Sequence, residues 1–318
     1  MTLANFIIAG TEKAGTTSVF SYLSQHPEVA ASRRKETDFF RSGQGTGADY
    51  AAFFPAGNGR PVVMEASPGY LGESERVVPR MRAMIPDVRL LFILREPVAR
   101  FQSSYHFHRG KLNLPPELAF GDYLDACLEY AAAGTDQARA RVSRASGIDE
   151  WFLKVLPFGC YARYLRRYFD AFPQERIRVT FHDDLCADTH AFMVDVSRFL
   201  NIDLDFWTTA DYQPMNVTFF GRSRHLHRLA VLVNDRLEPL LRPRPRLKAA
   251  VAGVYKRLNG AREGYEGMLQ GHRALLESFY APHNGDLAAL LRHPLPPGWR
   301  AERGVAPWDA ESLGAMTS

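Results

Sequence analysis

Residues 6–40, FIIAGTEKAGTTSVFSYLSQHPEVAASRRKETDFF, decide the fold of this chain. The stretch opens on an apolar run of strand type, Phe6–Ala9, and continues into a turn rich in glycine and threonine, Gly10–Thr17. Apolar residues then recur at helical spacing until His26 and Pro27 end the pattern. A strand, a glycine-rich loop and a helix in this order direct backbone N–H groups and a helix N-terminus at one anion. The stretch therefore predicts a binding site for a phosphate or phosphosulfate group.

The side chains of this loop also suit an anion. Lys13 brings a positive charge into the turn, and Thr16–Ser18 bring hydroxyl donors. The ATP-binding P-loop, G-x-x-x-x-G-K-[ST], requires a lysine directly after its second glycine. Here Gly10 and Gly15 keep the glycine spacing, but Thr16 occupies the lysine position. The lysine has moved to the early side of the turn, so it approaches the ligand from another direction.

The K-x-G-T-T order of the loop closely resembles the 5′-phosphosulfate loop of sulfotransferases that use 3′-phosphoadenosine 5′-phosphosulfate (PAPS). The continuation HPEVAASRRKETDFF, residues 26–40, is similar to the Golgi heparan-sulfate sulfotransferases and their bacterial relatives. For the loop alone, a tight turn that needs two glycines and nothing more is the alternative. The resemblance implies that the following residues bind the 5′-phosphosulfate: Lys13, Ala14, Gly15, Thr16, Thr17 and Ser18.

The resemblance also implies the architecture of the whole chain. We expect a single sulfotransferase domain over residues 1–318, because the sequence shows neither an internal repeat nor a Gly/Ser-rich linker. Its fold would be α/β, a P-loop-like three-layer fold with a central parallel sheet flanked by helices. Residues 111–150 form a candidate acceptor-side insert or lid within it, and a solvated helix is the alternative for that segment.

The bulk composition limits partners and location. A formal net charge of +4 suits a polyanionic cofactor or an acidic acceptor without singling out nucleic acid, and we expect no nucleic-acid partner. Three cysteines without a CxxC pair argue against a structural zinc site and against a disulfide framework. No secretory signal precedes the first strand, and the longest apolar run, Leu90–Leu94, is too short to span a bilayer. We therefore expect a soluble, cytoplasmic enzyme of bacterial type.

A charged turn, RRKETDFF, occupies residues 33–40. In the resembled family this segment lines the acceptor cleft and its glutamate is the proposed general base, which implies that role for Glu36. A carboxylate there takes the proton from an acceptor hydroxyl while Lys13 neutralises charge on the leaving phosphate. The alternative is a surface glutamate paired with one of the three basic residues before it.

A second short strand is predicted over Val62–Glu65, followed by ASPGY, residues 66–70. The family usually shows E-K-[TS]-P-x-Y at this point, and this chain departs from it at Ala66, where lysine is common. Asp38 likewise stands where the heparan enzymes have histidine. These two departures argue against a heparan-like acceptor and leave the cofactor half of the resemblance intact.

The run Leu90–Leu94 has the composition of a central parallel strand that is covered on both faces. Arg95 follows its C-terminal end, where open α/β sheets bind ligands, and Ser103 comes eight residues later in the next helix. The order R-x-P-x-x-R-x-x-S-x-Y resembles the family's 3′-phosphate motif and implies that Arg95 and Ser103 share that phosphate. A salt bridge between Arg95 and Glu96 is the alternative. Arg100, the second arginine of the motif, is expected to point outward.

Two flanking segments give further cofactor candidates. Family helices that begin G/S-x-Y approach the adenine, which makes Tyr161 a candidate, and packing explains this residue equally well. The sequence from Asn216 resembles the bacterial N-x-[ST]-x-x-x-R-S-R loop that covers the nucleotide, or else a basic turn. It implies three more contacts: Arg222, Ser223 and Arg224. Residues 227–258, rich in leucine and arginine, permit peripheral contact with an acidic membrane surface, or form an ordinary amphipathic helix pair.

The predicted function is in-line transfer of a sulfuryl group from PAPS to an acceptor hydroxyl or amine, leaving 3′,5′-ADP (PAP). The acceptor is a small molecule or glycan, favoured as a carbohydrate or glycosylated metabolite. No metal is expected, since lysine and arginine supply the counter-charge. A P-loop nucleotide kinase or NTPase would need lysine in place of Thr16. A non-catalytic nucleotide-binding module would tolerate the loss of Lys13 and Glu36.

Overall fold

Five parallel strands form one sheet in a computed structural model, which describes residues 2–55, 57, 59–212 and 268–299. The strand order is β2-β3-β1-β4-β5, and every neighbouring pair is parallel. The bounds of the strands are β1 Phe6–Gly10, β2 Val29–Ala31, β3 Val62–Ala66, β4 Arg89–Leu94 and β5 Ile177–Phe181.

Helices connect and flank these strands. Their bounds are α1 Thr16–Leu23, α2 Phe39–Ser42, α3 Gly47–Ala51, α4 Ser74–Met84, α5 Pro97–Gly110, α6 Phe120–Ala132, α7 Asp136–Ser146, α8 Glu150–Leu153, α9 Tyr161–Ala171, α10 His182–Ala187, α11 Thr189–Leu200 and α12 Gln270–Leu291. Short 3-10 turns lie at Pro68–Tyr70, Pro157–Gly159, Gln174–Arg176, Asp205–Thr208 and Pro297–Trp299.

Both faces of the sheet are buried, which explains why its strands are continuous apolar runs. Because successive side chains of a strand point to opposite faces, Phe6 and Ile8 of β1 pack into one hydrophobic cluster and Ile7 and Ala9 into another. The first cluster includes side chains of α1 and α11, and the second includes side chains of α4 and α9. The result is a three-layer arrangement of helices, sheet and helices.

The register of the strands brings their carboxyl ends to one edge of the sheet. Ile8 of β1 pairs with Ala66 of β3 and with Leu91 of β4, and the β1–β4 register then shifts before Gly10. The loop after β1, the motif after β3 and Arg95 after β4 therefore all leave the sheet at the same edge. This is the edge at which open α/β sheets bind their ligands.

The described residues separate into two compact units. The first comprises residues 2–100, 157–212 and 274–299 and contains the whole sheet. The second comprises residues 101–156 and 268–273 and is helical. Inside the second unit, aromatic rings pack on one another, and Phe101 stacks on Tyr123 with 5.3 Å between ring centroids. Residues 111–150 contain α6 and α7, and their role as a lid or insert stays a prediction.

Candidate active site

The loop after β1 curls in front of the N-terminus of α1. The Thr11 N–H donates to the Ile93 carbonyl over 2.8 Å, which fixes the start of the loop to β4. Lys13 and Gly15 both have left-handed backbone conformations, with φ of 67° and 81°. A Cβ on Gly15 would lie 2.5 Å from Leu185 Cδ2, so position 15 needs glycine for space as well as for conformation. Gly15 also occupies the N-cap of α1, where no side chain caps the first N–H groups.

Arg95 joins this loop to the end of β4. Its Nη1 donates a hydrogen bond of 2.8 Å to the Lys13 carbonyl, and its own carbonyl accepts one of 2.7 Å from the Tyr161 hydroxyl. Tyr161 is buried, so its ring fills the core beneath the strand end. The structure thus places the Arg95 guanidinium on the backbone of Lys13, and the roles of both residues toward a nucleotide stay predictions. The assignment of Tyr161 to the cofactor stays a prediction.

Ser103 lies on α5, which begins two residues after Arg95 as the sequence predicts, and its side chain is buried. The start of α5 is capped by Glu96, whose Oε1 accepts from the Val98 N–H over 2.9 Å and whose Oε2 accepts from the Ala99 N–H over 2.6 Å. The Glu96 carboxylate therefore holds the first turn of the helix, in the manner expected of an acidic group at a helix N-terminus.

The expectation that Arg100 points outward is wrong, because Arg100 is only 1% exposed. Burial acts to lower the pKa of this guanidinium, but Tyr161, Tyr280 and Glu12 outweigh it, and the net pKa is raised. The sequence pattern of α5 did not reveal this, since an arginine between polar and apolar neighbours fits either face. Arg100 therefore places a buried positive charge that interacts electrostatically with Glu12, the residue before Lys13.

The segment after β2 exposes the candidate base. The Glu36 side chain is 54% exposed and forms an ion pair with Lys35, one of the partners that the alternative interpretation names. Asp38 accepts an ion-pair contact of 3.0 Å from Arg41. Both Glu36 and Asp38 have left-handed backbone conformations, with φ of 63° and 53°. Such conformations in residues other than glycine cost roughly 1–3 kcal/mol each and concentrate at functional sites.

A buried polar group lies directly behind this segment. Glu65, at the end of β3, is completely buried and accepts a hydrogen bond of 2.7 Å from Thr37 Oγ1. Burial raises the pKa of Glu65, although hydrogen bonds from Thr37 and Tyr70 act in the opposite direction. The sequence showed Glu65 only as part of a family motif, and the contact with Thr37 became visible in the structure.

A model of the sulfotransferase domain matches residues 3–217 of the chain. The chain belongs to the sulfotransferase domain family. A membrane-associated sulfotransferase of Dictyostelium discoideum, kil1, is 36% identical over 109 residues, which cover 33% of this chain and 23% of that protein. The human heparan sulfate glucosamine 3-O-sulfotransferase 3B1 is 24% identical over 200 residues, covering 63% of this chain and 46% of that protein. The chain thus spans less than half the length of these curated relatives.

Among solved structures, a sulfotransferase from Alicyclobacillus acidocaldarius shares the fold with a TM-score of 0.65 and 23% identity, covering 94% of this chain and 99% of that one. The predictions of a sulfotransferase and of a P-loop-like three-layer α/β fold are confirmed. Membership of the family also confirms the prediction of an enzyme of the sulfotransferase type.

The sequence analysis missed two side chains that lie near the loop after β1. His182 opens α10, and its Cδ2 lies 3.5 Å from the position that a Cβ on Gly15 would take. Burial and the neighbouring Arg95 lower the pKa of His182 to about 4, so its imidazole is neutral at physiological pH. Cys186 Sγ lies 3.5 Å from His182 Nε2. Both residues follow the carboxyl end of β5, and this position in the sequence could have predicted them, because ligands of open α/β sheets bind at such strand ends.

Several sequence predictions fall outside the described residues. Arg222, Ser223 and Arg224, the proposed additional cofactor contacts, are among them, as is the leucine- and arginine-rich stretch 227–258. Within the part of the sulfotransferase that the structure describes, no helix has the length and apolar character needed to cross a membrane. The same residues contain no cluster of three or more histidine, cysteine or acidic side chains arranged to bind a metal ion.

Proposed function

We propose that this protein transfers a sulfuryl group from PAPS to a hydroxyl or amine of an acceptor, with a carbohydrate or glycosylated metabolite favoured. The observation that carries the proposal is the hydrogen bond between Arg95 and the Lys13 carbonyl. It joins the loop that suits a 5′-phosphosulfate to the residue that suits a 3′-phosphate. A donor with anionic groups at both ends of an adenosine matches such a pair of adjacent sites.

The residues of the loop fit the 5′ end of the donor. Gly15 leaves the helix N-terminus open, because it offers no capping side chain and because a Cβ there has no room. Backbone N–H groups at a helix N-terminus favour an anion, and Lys13 with the hydroxyl groups of Thr16–Ser18 would add to this preference. Arg95 and Ser103 would bind the 3′-phosphate. When bound, PAPS supplies the sulfuryl group that is transferred.

The chain's own groups account for the remaining chemistry. Glu36 takes the acceptor proton as the acceptor oxygen or nitrogen bonds to sulfur and the bond from sulfur to the phosphate oxygen breaks. Lys13 stabilises the negative charge that collects on the departing phosphate. Alignment of donor and acceptor in one site contributes up to ~7–11 kcal/mol to such reactions. A single oriented donor on the developing charge contributes roughly 3–4 kcal/mol.

The class of acceptor is proposed from the relatives. Curated human relatives are named for heparan sulfate and its glucosamine units, and their alignments cover 63% of this chain. Glu36 is exposed enough to reach a bulky sugar, since more than half of its side chain is accessible. Ala66 and Asp38 are the two departures noted above, and for this reason we propose a carbohydrate acceptor other than heparan sulfate.

The test is incubation of the purified protein with ³⁵S-labelled PAPS and a panel of acceptors. The panel contains N-desulfated heparin, chondroitin, glycolipids and simple phenols, and Glu36→Gln serves as the matched inactive control. We expect label to enter a carbohydrate, and we expect Glu36→Gln to abolish incorporation while it retains PAP binding by calorimetry. No incorporation into any acceptor, together with no PAP binding, contradicts the proposal. Transfer of phosphate from ATP and Mg²⁺ instead would support a kinase.

A further inference from the structure

Residues 65–70, EASPGY, lie behind the candidate base, and four of them form hydrogen bonds with residues 36–40. We propose that Glu65, Ser67 and Tyr70 are positioning residues that hold Glu36 in its place by fixing the segment around it. This inference deepens the proposed function and rests on it, because it assumes that Glu36 acts on the acceptor. We refer to residues 65–70 as the support motif.

The contacts follow one another along the segment. The Glu36 N–H donates to the Ala66 carbonyl over 2.8 Å, and the Asp38 N–H donates to Ser67 Oγ over 3.2 Å. Thr37 Oγ1 donates to Glu65 Oε2 over 2.7 Å. The Phe40 N–H donates to the Tyr70 hydroxyl over 3.3 Å. The support motif therefore contacts three of the five residues through the backbone and one through a side chain.

Thr37 is the junction of this arrangement. Besides the bond to Glu65, its hydroxyl lies 3.3 Å from the Tyr70 hydroxyl and accepts from the Phe39 N–H over 3.3 Å. Glu36 and Asp38, its two neighbours, both have left-handed backbone conformations. Residues other than glycine keep such conformations only where the surroundings hold them. The hydrogen bonds of Thr37 thus fall at the point where the segment needs external support.

The burial of the motif separates positioning from direct contact with an acceptor. Glu65, Ser67 and Tyr70 are completely buried, so their side chains act through other residues. Thr37 Oγ1 donates a hydrogen bond of 2.7 Å to Glu65 Oε2, and side-chain hydrogen bonds from Tyr70, Tyr50 and Ser67 also favour the charged form of this carboxyl group. Thr37 is the member of this set that belongs to residues 36–40, so its bond ties the buried carboxyl group to the segment that carries Glu36.

The experiment removes the hydroxyl of Thr37 without changing the shape of the side chain. Thr37→Val is compared with Thr37→Ser, which keeps the hydroxyl, and with Thr46→Val. Thr46 is a matched control because its Oγ1 also donates to a carboxylate, Asp49 Oδ2, over 2.7 Å, at the exposed start of α3. Glu65→Gln keeps an acceptor for Thr37 and serves as a second variant.

The first readout is amide hydrogen exchange, which needs no acceptor. We expect Thr37→Val to speed exchange in the peptide covering residues 33–42 at least tenfold, while the peptide covering residues 10–20 keeps its wild-type rate. Thr37→Ser, Thr46→Val and Glu65→Gln should match the wild type in both peptides. Unchanged exchange in Thr37→Val overturns the inference, as does equal acceleration throughout the protein, which would indicate general destabilisation.

The second readout separates kcat from KM with the carbohydrate that the wild type modifies fastest. Thr37→Val should lower kcat roughly 10- to 100-fold and leave the Kd for PAP within twofold, and Thr37→Ser should restore kcat. If the wild type transfers label and Thr37→Val transfers it equally fast, the support motif does not position Glu36, and the proposed function stands. If the wild type transfers no label to any acceptor and does not bind PAP, the proposed function fails. Loss of PAP affinity in Thr37→Val in proportion to kcat also overturns the inference.

Discussion

The phosphosulfate loop, residues 10–18, and the base segment, residues 36–40, reach the same edge of the sheet by different means. The loop is shaped mainly by its own residues, because Gly15 provides the left-handed turn and leaves room for Leu185. The base segment has no glycine, and its two left-handed residues are held by hydrogen bonds that the segment donates to residues 65–70. The loop thus contains a glycine at one of its left-handed positions and is fastened to β4 by Ile93 and Arg95, whereas both left-handed residues of the base segment rely on tertiary contacts alone.

The largest effect is expected from a substitution in the phosphosulfate loop, which tests whether the loop takes part in the reaction. Replacing Lys13 by alanine should lower turnover on the order of 10²–10³-fold, as the loss of one oriented donor on a developing charge does in other enzymes. Steady-state kinetics with the acceptor found in the panel measure it. Because Lys13 approaches through its side chain, the hydrogen bond from Arg95 to its carbonyl should survive. A turnover like that of the wild type would remove Lys13 from the reaction.

A second substitution tests whether the loop depends on its own glycine. Gly15→Ala should destabilise the protein by about 1–3 kcal/mol, since it adds both a strained backbone conformation and a contact with Leu185. PAP affinity should fall with it. Gly43→Ala is the control, because Gly43 has a similar φ of 78° and no atom within 4 Å of the added Cβ. Chemical unfolding and calorimetry should show a clearly smaller effect for Gly43→Ala, and equal effects would mean that packing at Leu185 is unimportant.

The pH dependence of stability tests the buried carboxyl behind the base segment. Burial raises the pKa of Glu65 in the folded state, so the folded protein keeps a proton that the unfolded chain releases above its ordinary value of 4.5. The wild type should therefore lose stability relative to Glu65→Gln as pH rises from about 4.5 through the raised pKa. Urea unfolding of both proteins at several pH values measures the difference. A difference independent of pH would show that Glu65 titrates as it does in the unfolded chain.

The smallest effect is expected at the surface of the base segment. Lys35→Met removes the ion pair with Glu36, whose side chain is more than half exposed, and keeps the aliphatic stem of Lys35, whose side chain is only 18% exposed. Exposed ion pairs contribute roughly 0–1 kcal/mol, so thermal stability should barely change. A loss well above 1 kcal/mol would show that the segment is held from its exposed side as well as by residues 65–70.

The sequence predicted the framework of the fold because its signals are local. Apolar runs gave β1, β3 and β4 to within about a residue. The strand β2 was missed, because Val29–Ala31 is too short to show a periodicity. The loop residues were assigned from a motif that is continuous in the chain. Their roles stay predictions.

Other parts of the candidate site depend on contacts that no local pattern encodes. Thr37 and Glu65 are 28 residues apart, and their hydrogen bond exists only because β3 and the segment after β2 end side by side. Arg100 looked like a surface residue because its helical neighbours are mixed, and only its buried tyrosine neighbours explain its position. His182 was not predicted, because the sequence of a strand-to-helix turn does not reveal that this turn lies next to Gly15.

The bond between Arg95 and Lys13 has a consequence for how fragments of a nucleotide would compete. It joins positions 82 residues apart in the chain, so a group that pulls on the guanidinium also moves the backbone of the turn. A small anion that binds only at the loop or only at Arg95 would have to order both of these regions by itself. Inorganic pyrophosphate and adenosine 3′-phosphate should therefore inhibit more strongly as a mixture than their separate potencies indicate.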